Sequence, residues 1–308
     1  MRIRFIHIVL LTLFTLNVCA QQLPQYSQYM LNNYAINPAI GGSTNYVEAK
    51  SNNRYQWKGI TDAPRTYVLT LNGPTKAKNV GLGGTIFTDI TGPTRRTGIS
   101  ASYAYHLKLN EEWKLSMGLA AGFLQFAIDG SKIRLRDEGD NIISSGIQSV
   151  IVPDFGFGLY LYNRKSYLGI SAPQIAQNKL RFFDYQTSSL SKLEDHYYVN
   201  AGYKIDLNED FQVEPGILIK YVKPAPVQFD FGAKITYKEK VWLGANYRTR
   251  DAASIMAGFI YNDYLMFAYA YDITTSKLKN YSGGTHEIML GLKFFKKKEG
   301  KSSAAMLK

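Results

Sequence analysis

Residues 283–294 read GGTHEIMLGLKF, and apolar side chains occupy every second position in most of this stretch. In an extended strand, successive side chains point to opposite faces. One face would carry His286, Ile288, Leu290, Leu292 and Phe294, and the other Glu287, Met289, Gly291 and Lys293. The stretch therefore predicts a strand with one apolar and one mixed face.

The same alternation recurs in about fourteen segments from Asn45 onward, and it is clearest over residues 229–238. Segments of about 9–11 residues fit tilted membrane strands, and turn residues separate them. Closure into a cylinder removes exposed strand edges, and in lipid it is obligatory. Residues 45–295 are thus predicted to form an all-β, transmembrane antiparallel β-barrel of about 14 strands.

The connections between these segments differ in length. The short ones are 110–112, 163–165, 208–210, 238–240 and 262–263, and the long ones are 130–153, 173–196 and 273–283. Outer-membrane barrels have short periplasmic turns and long outer loops. If the chain starts on the periplasmic side, every short turn lies on that side, and this predicts the orientation of the barrel.

The N-terminus and the composition agree with an exported barrel. Arg2 and Arg4 precede an apolar run at 5–16 and the small-residue site VCA at 18–20, so residues 1–20 are predicted to be a signal peptide. The alternative is a lipoprotein lipidated at Cys19. No later stretch has the eighteen or so apolar residues of a membrane helix. The chain has 23 Tyr, 16 Phe and 26 Gly, its mean hydropathy is −0.20 and its formal charge is +12. Export makes nucleic acid an unsuitable partner.

Two flanking segments lack strand alternation. Residues 21–44 are rich in Gln, Asn and Tyr, and this leader is expected either across the barrel mouth or inside the lumen. Residues 296–308 carry five Lys and one Glu and are expected to form a basic periplasmic tail.

The polar face of the predicted strands contains many glycines, such as Gly118, Gly158 and Gly202. Glycine within a strand marks a bend or the close approach of another group. Bulky material inside the barrel is therefore expected, although relief of curvature alone is the alternative. The residues predicted to face the lumen are Tyr160, Tyr162, Gly232, Lys234, Trp242 and Gly244.

The sequence offers no pattern for catalysis, a cofactor or a metal. After signal removal, three scattered histidines and no cysteine remain, without metal-ligand spacing. Residues 137–141 are acidic but lack the calcium-loop pattern. No GxSxG motif occurs. The chain is therefore predicted not to be an enzyme and to bind no cofactor.

Several stretches together resemble the PorP/SprF family of Bacteroidota outer-membrane proteins. They are QYSQYM at 25–30, NPA at 37–39, WKG at 57–59, APRT at 63–66, YLGISAP at 167–173, WLGANYR at 242–248 and GTHEI at 284–288. The resemblance covers essentially the whole mature chain. It implies a component of type IX secretion that associates with the secretion or gliding machinery, and for some members a large adhesin as partner.

Two functions follow as hypotheses. The first is a non-enzymatic barrel that docks a type IX secreted protein, such as an adhesin C-terminal domain, and links it to other secretion components within outer-membrane lipid. The alternative is a passive channel for small or hydrophobic solutes. Docking is expected on the two longest outer loops, because exposed aromatics and arginines are typical of interfaces; inward folding of those loops is the alternative. The candidate partner-binding residues are Arg134, Arg136, Arg181, Phe182, Phe183 and Tyr185.

Overall fold

The computed structural model describes residues 23–77, 79–133, 146–176, 193–223 and 225–294. Four short 3-10 helices are present in this part of the chain, at Asn33–Ala35, Pro38–Ile40, Gly130–Lys132 and Lys277–Asn280. Among the described residues, no helix has the length and apolar character needed to cross a membrane.

Fifteen β-strand segments account for most of the described residues. They are β1 Val47–Tyr55, β2 Arg65–Pro74, β3 Val80–Thr91, β4 Thr94–Lys108, β5 Lys114–Asp129, β6 Ile147–Tyr162, β7 Ser166–Gln174, β8 His196–Tyr203, β9 Ile205–Asp206, β10 Phe211–Val222, β11 Gln228–Tyr237, β12 Val241–Arg248, β13 Ala252–Tyr261, β14 Leu265–Thr274 and β15 Thr285–Phe294.

The strands form one closed antiparallel sheet. Consecutive strands pair with each other, and β15 pairs with β1 from Val47↔Phe294 to Tyr55↔His286. The segments β8 and β9 are separated only by Lys204 and both pair with β10, so they act as one strand. The fold is therefore a 14-stranded antiparallel β-barrel, as the alternation predicted.

The strands direct apolar side chains outward and polar side chains inward, which is the reverse of a soluble protein. In β15, Ile288, Leu290 and Leu292 point outward and are exposed, whereas Glu287 and Met289 are fully buried inside. The outer face is thus apolar and the interior mixed, which suits lipid outside and a polar lumen within.

Aromatic side chains form two belts on the outer wall. One belt comprises Tyr55, Tyr67, Tyr197, Tyr221, Tyr247 and Tyr269, and the other comprises Tyr105, Tyr203, Phe211, Tyr237, Tyr261 and Phe294. Exposed aliphatic residues such as Leu69, Ile99, Leu119 and Ile255 lie between the belts. Aromatic girdles flank the apolar band of transmembrane barrels, so this arrangement marks the part of the wall that lies in lipid.

The two ends of the barrel differ in their connections. At the end where β1 begins, here named the turn end, the connections are 75–79, 109–113, 163–165, 207–210, 238–240 and 262–264. At the opposite end, here named the loop end, they are 56–64, 92–93, 130–146, 175–195, 223–227, 249–251 and 275–284. The longest connections therefore lie at the loop end. The predicted sorting is nevertheless incomplete, because two loop-end connections are also tight, and Gly92 and Arg250 in them adopt positive φ.

The two long connections are shorter than the sequence predicted. The connection predicted at 130–153 is wrong at its end, because β6 already begins at Ile147 and includes Pro153, which lies opposite Phe123. A proline is compatible with extended backbone and removes only one hydrogen-bond donor, so it does not end this strand. The connection predicted at 173–196 likewise gives residues 173 and 174 to β7 and residue 196 to β8.

Candidate functional site: the occupied barrel interior

The leader crosses the barrel from one end to the other. At the loop end, the Leu23 backbone N–H donates to His196 Nε2 at 3.0 Å, and His196 is the first residue of β8. At the turn end, His106 Nε2 donates to the Gly41 carbonyl at 2.9 Å, while its Nδ1 accepts from the Tyr162 hydroxyl. The described part of the leader, from Leu23, therefore runs from the loop end to the start of β1 at the turn end.

The first part of the leader is bound by charged side chains on the inner wall. We name these residues the inner charge cluster; its members are Arg54, Lys220, Asp230, Arg248, Asp272 and Glu287. Glu287 accepts hydrogen bonds from the backbone N–H groups of Ser27 and Gln28, at 2.8 and 3.1 Å. The Ser27 hydroxyl donates to Asp272 at 2.6 Å.

The members of the inner charge cluster also form ion pairs with one another. Arg54 reaches Asp272 at 2.7 Å and Glu287 at 2.9 Å, and both partners are almost fully buried. Asp230 lies 3.1 Å from both Arg248 and Lys220. Arg248 also reaches Asp251 at 3.2 Å, so every cation of the cluster has at least one carboxylate partner, as buried charges must if they are to remain ionised.

The middle of the leader is held by neutral contacts on several strands. The Tyr34 hydroxyl lies 2.7 Å from that of Ser102, and the Ser171 hydroxyl donates to the Ile36 carbonyl. Asn37 donates to the Leu159 carbonyl at 3.0 Å. Because these partners come from β4, β6 and β7, the leader is fixed to the wall along its length.

Glycine makes this close approach possible at two positions. A Cβ on Gly81 would collide with the Gly41 carbonyl oxygen, and a Cβ on Gly118 would collide with the backbone of Ala39. The leader backbone thus packs directly on the strand backbone.

Three of the residues predicted to face the lumen belong to two separate apolar clusters. Tyr160 is buried against Tyr34, Ala39 and Ile40 of the leader, and Tyr162 packs on the same cluster. In a second cluster, Trp242 is buried among methionines and alanines that Leu31 of the leader also contacts.

The remaining three predicted residues lie on β11 and β12. Lys234 pairs with Glu214 at 3.0 Å, and a Cβ on Gly232 would lie 3.3 Å from Met30 Sδ. A Cβ on Gly244 would lie 2.9 Å from Met256 Cγ. The predicted partner-binding residues lie outside the described residues; they are Arg134, Arg136, Arg181, Phe182, Phe183 and Tyr185.

Sequence reasoning missed the inner charge cluster. A signal was present, because Arg54, Asp230 and Arg248 occupy inward positions near the loop-end tips of their strands. The pairing was not visible, since Arg54 and Glu287 are 233 positions apart in the chain. In the described ranges, no group of three or more His, Cys, Asp or Glu side chains is arranged to hold a metal ion.

Comparison with solved structures finds other barrels at low identity. A CymD monoaromatic hydrocarbon channel is 13% identical with a TM-score of 0.47, covering 88% of this chain and 92% of that chain. A Pseudomonas aeruginosa FadL homologue is 9% identical with a TM-score of 0.40, covering 80% and 88%. The NanC porin is 11% identical with a TM-score of 0.41, covering 81% and 99%. No curated protein matches the sequence.

The comparison with protein families gives one match. The family model described as type IX secretion system membrane protein PorP/SprF matches residues 18–292. This range includes the leader, all strands up to β15 and most of β15 itself. Membership of a secretion family and the barrel fold together point to the outer membrane. Since the match spans most of the sequence, the chain belongs to the PorP/SprF family of type IX secretion system membrane proteins.

Proposed function

We propose that this protein is a non-enzymatic outer-membrane barrel that docks a type IX secreted protein and links it to the secretion or gliding machinery. The observation that carries the proposal is the bound leader, which occupies the lumen from His196 at the loop end to His106 at the turn end. Because its own chain fills the interior, the barrel has its surfaces available for function and not its pore.

The passive channel is the rival function, and the interior supports it less well. A cavity that is open to solvent lies at the turn end, between the last residues of the leader and the connections 75–79, 109–113 and 163–165. Its lining includes Gly42, Ser43 and Thr44, so the cavity meets the leader. Solutes would pass only after the leader had moved away from its partners on the wall.

Docking is proposed at the loop end, which would face the cell exterior. The connections 130–146 and 175–195 are the longest in the chain and contain the six candidate partner-binding residues. Leu193, near the end of the second connection, is buried with Leu124, Phe126 and Val152. The connection is therefore attached to the inner faces of β5 and β6, beside the surface on which a secreted adhesin or its C-terminal domain would bind.

The test is co-purification of the secreted partner after residues 180–185 are shortened. The matched control replaces Lys238-Glu239, a turn-end pair with two positive φ values, by Asn-Gly, which suits the same turn. Both barrels should remain heat-resistant on gels, and only the loop-end variant should lose the partner. Recovery of the partner at wild-type yield from the loop-end variant would place docking elsewhere.

A further inference from the structure

A groove on the outer wall of the barrel is independent of the leader and of the long connections. It lies at the loop end between β1, β2, β14, β15 and the connection 56–64, and it is open to the surroundings of the barrel. Its lining includes Tyr55 and Tyr269, which belong to the loop-end aromatic belt. The groove is therefore at the depth where lipid headgroups meet the apolar band.

The lining of the groove contains two cations and no carboxylate, because Asp62 of the connection 56–64 is not among the lining residues. Lys58 and Arg65 are exposed in its lining, and among the described residues neither forms an ion pair. The nearby Glu287 and Asp272 point into the barrel, where they pair with Arg54 and, for Asp272, also with Arg248. Arginine and lysine are the side chains that proteins use most for phosphate.

His286 on β15 adds a third hydrogen-bond donor, between the tyrosines of β1 and β14. His286 is the direct cross-strand neighbour of Tyr55 on β1 and of Tyr271 on β14. Its Nδ1 lies 2.7 Å from the Tyr269 hydroxyl. When that hydroxyl donates to Nδ1, the ring proton is on Nε2 and is available to a phosphate oxygen.

Hydrogen bonds of the backbone fix the rim of the groove. The Lys58 N–H donates to the Gly284 carbonyl at 2.8 Å, and the Gly283 N–H donates to the Lys58 carbonyl at 2.6 Å. The Trp57 N–H donates to the Thr285 hydroxyl at 3.1 Å. The connection 56–64 is thus attached to the start of β15, which fixes the position of the Lys58 backbone.

Below the cations, the outer wall offers contacts for the rest of an amphipathic ligand. Ile288 lines the floor, and exposed Leu69 and Leu290 continue the apolar surface toward the turn end. Ser51 and Asn53 also point outward on β1, which is an unusual position for polar groups on a lipid-facing wall, and the Asn53 side-chain amide donates to the Ser51 hydroxyl at 3.2 Å. They can donate hydrogen bonds to carbonyl groups near the headgroup of a lipid.

We propose that this groove binds the phosphate-bearing headgroup of a lipid in the surrounding leaflet. Phosphate would sit between Lys58, Arg65 and His286, and the acyl chains would lie along Ile288 and the leucines beneath it. The combination of cations above and an apolar wall below selects a phosphorylated lipid over a soluble anion.

The test is native mass spectrometry of the full-length barrel titrated with bisphosphorylated lipid A in detergent. The double variant Lys58→Gln/Arg65→Gln should bind lipid A about tenfold more weakly than the wild type. The control Lys223→Gln/Arg250→Gln removes one exposed Lys and one exposed Arg from other loop-end connections and should bind within about twofold of the wild type. Heat-modified migration on gels verifies that each variant is folded.

Three outcomes would overturn the proposal. They are an equal loss in the control, equal binding of dephosphorylated lipid A by the wild type, and full displacement of lipid A by millimolar inorganic phosphate. If the double variant does not fold, the single change Lys58→Gln at an exposed position should still weaken binding about threefold. Unchanged affinity in that folded variant would contradict the groove as the site.

Discussion

The substitution Glu287→Gln tests how the leader is held in the lumen. The Glu287 carboxylate accepts from the Ser27 and Gln28 backbone and pairs with Arg54 at 2.9 Å. A glutamine keeps the size but leaves Arg54 with Asp272 alone. Breaking a buried ion pair costs about 3–5 kcal/mol, and each 1.4 kcal/mol is about tenfold in an equilibrium. When the leader is released, water can solvate Arg54. The unpaired charge therefore destabilises the leader-bound state, and the equilibrium constant for release of the leader should rise about a hundredfold or more.

The assay is maleimide labelling of a cysteine placed at Ala39, which is fully buried in the leader. The matched control is Glu214→Gln, because Glu214 is also a buried luminal carboxylate but pairs with Lys234 on the wall. In folded barrels, Glu287→Gln should speed labelling strongly and Glu214→Gln should not. Equal labelling rates in the two folded variants would refute the role given to Glu287.

Three further changes test the orientation, the lipid face and the packing of the leader. A cysteine at Lys223, in a loop-end connection, should label from outside intact cells, whereas one at Glu239 should not; the reverse pattern would invert the proposed orientation. Phe231→Arg should lower the free energy of unfolding in vesicles by about 2–4 kcal/mol, whereas the inward Lys234→Arg should change it little. Equal losses in urea titrations would mean that the faces were assigned wrongly. Gly118→Val should displace the leader backbone that it contacts, seen as faster proteolysis of the leader in a folded barrel, and unchanged protection would contradict that contact.

The barrel was predictable because lipid and lumen impose alternation on every strand. The alternation predicts a strand at 229–238, and β11 is found at Gln228–Tyr237 with Phe231 outward and Asp230 fully buried. The errors lie where alternation is weak or interrupted, as at Pro153, which the sequence predicts at the end of a loop and which lies within β6.

The interior was predictable only in part. The composition of the strands indicated bulky material inside, but the leader has no periodicity that distinguishes the mouth from the lumen. Its position depends on contacts such as that of Ser27 with Asp272, 245 residues away, and on the absence of a Cβ at Gly81. Such pairings arise from barrel closure and leave no local pattern in the sequence.

The barrel is occupied by its own leader, and its proposed function is docking and not the passage of solutes. The most direct measurement is the conductance of the purified wild-type protein in planar bilayers, recorded beside Glu287→Gln. We expect the wild-type protein to show no steady pore, because the leader is bonded to the wall from His196 to His106. The variant should show openings as the leader is released. Large, steady openings in the wild-type protein, equal to those of the variant, would contradict the claim and favour a passive channel.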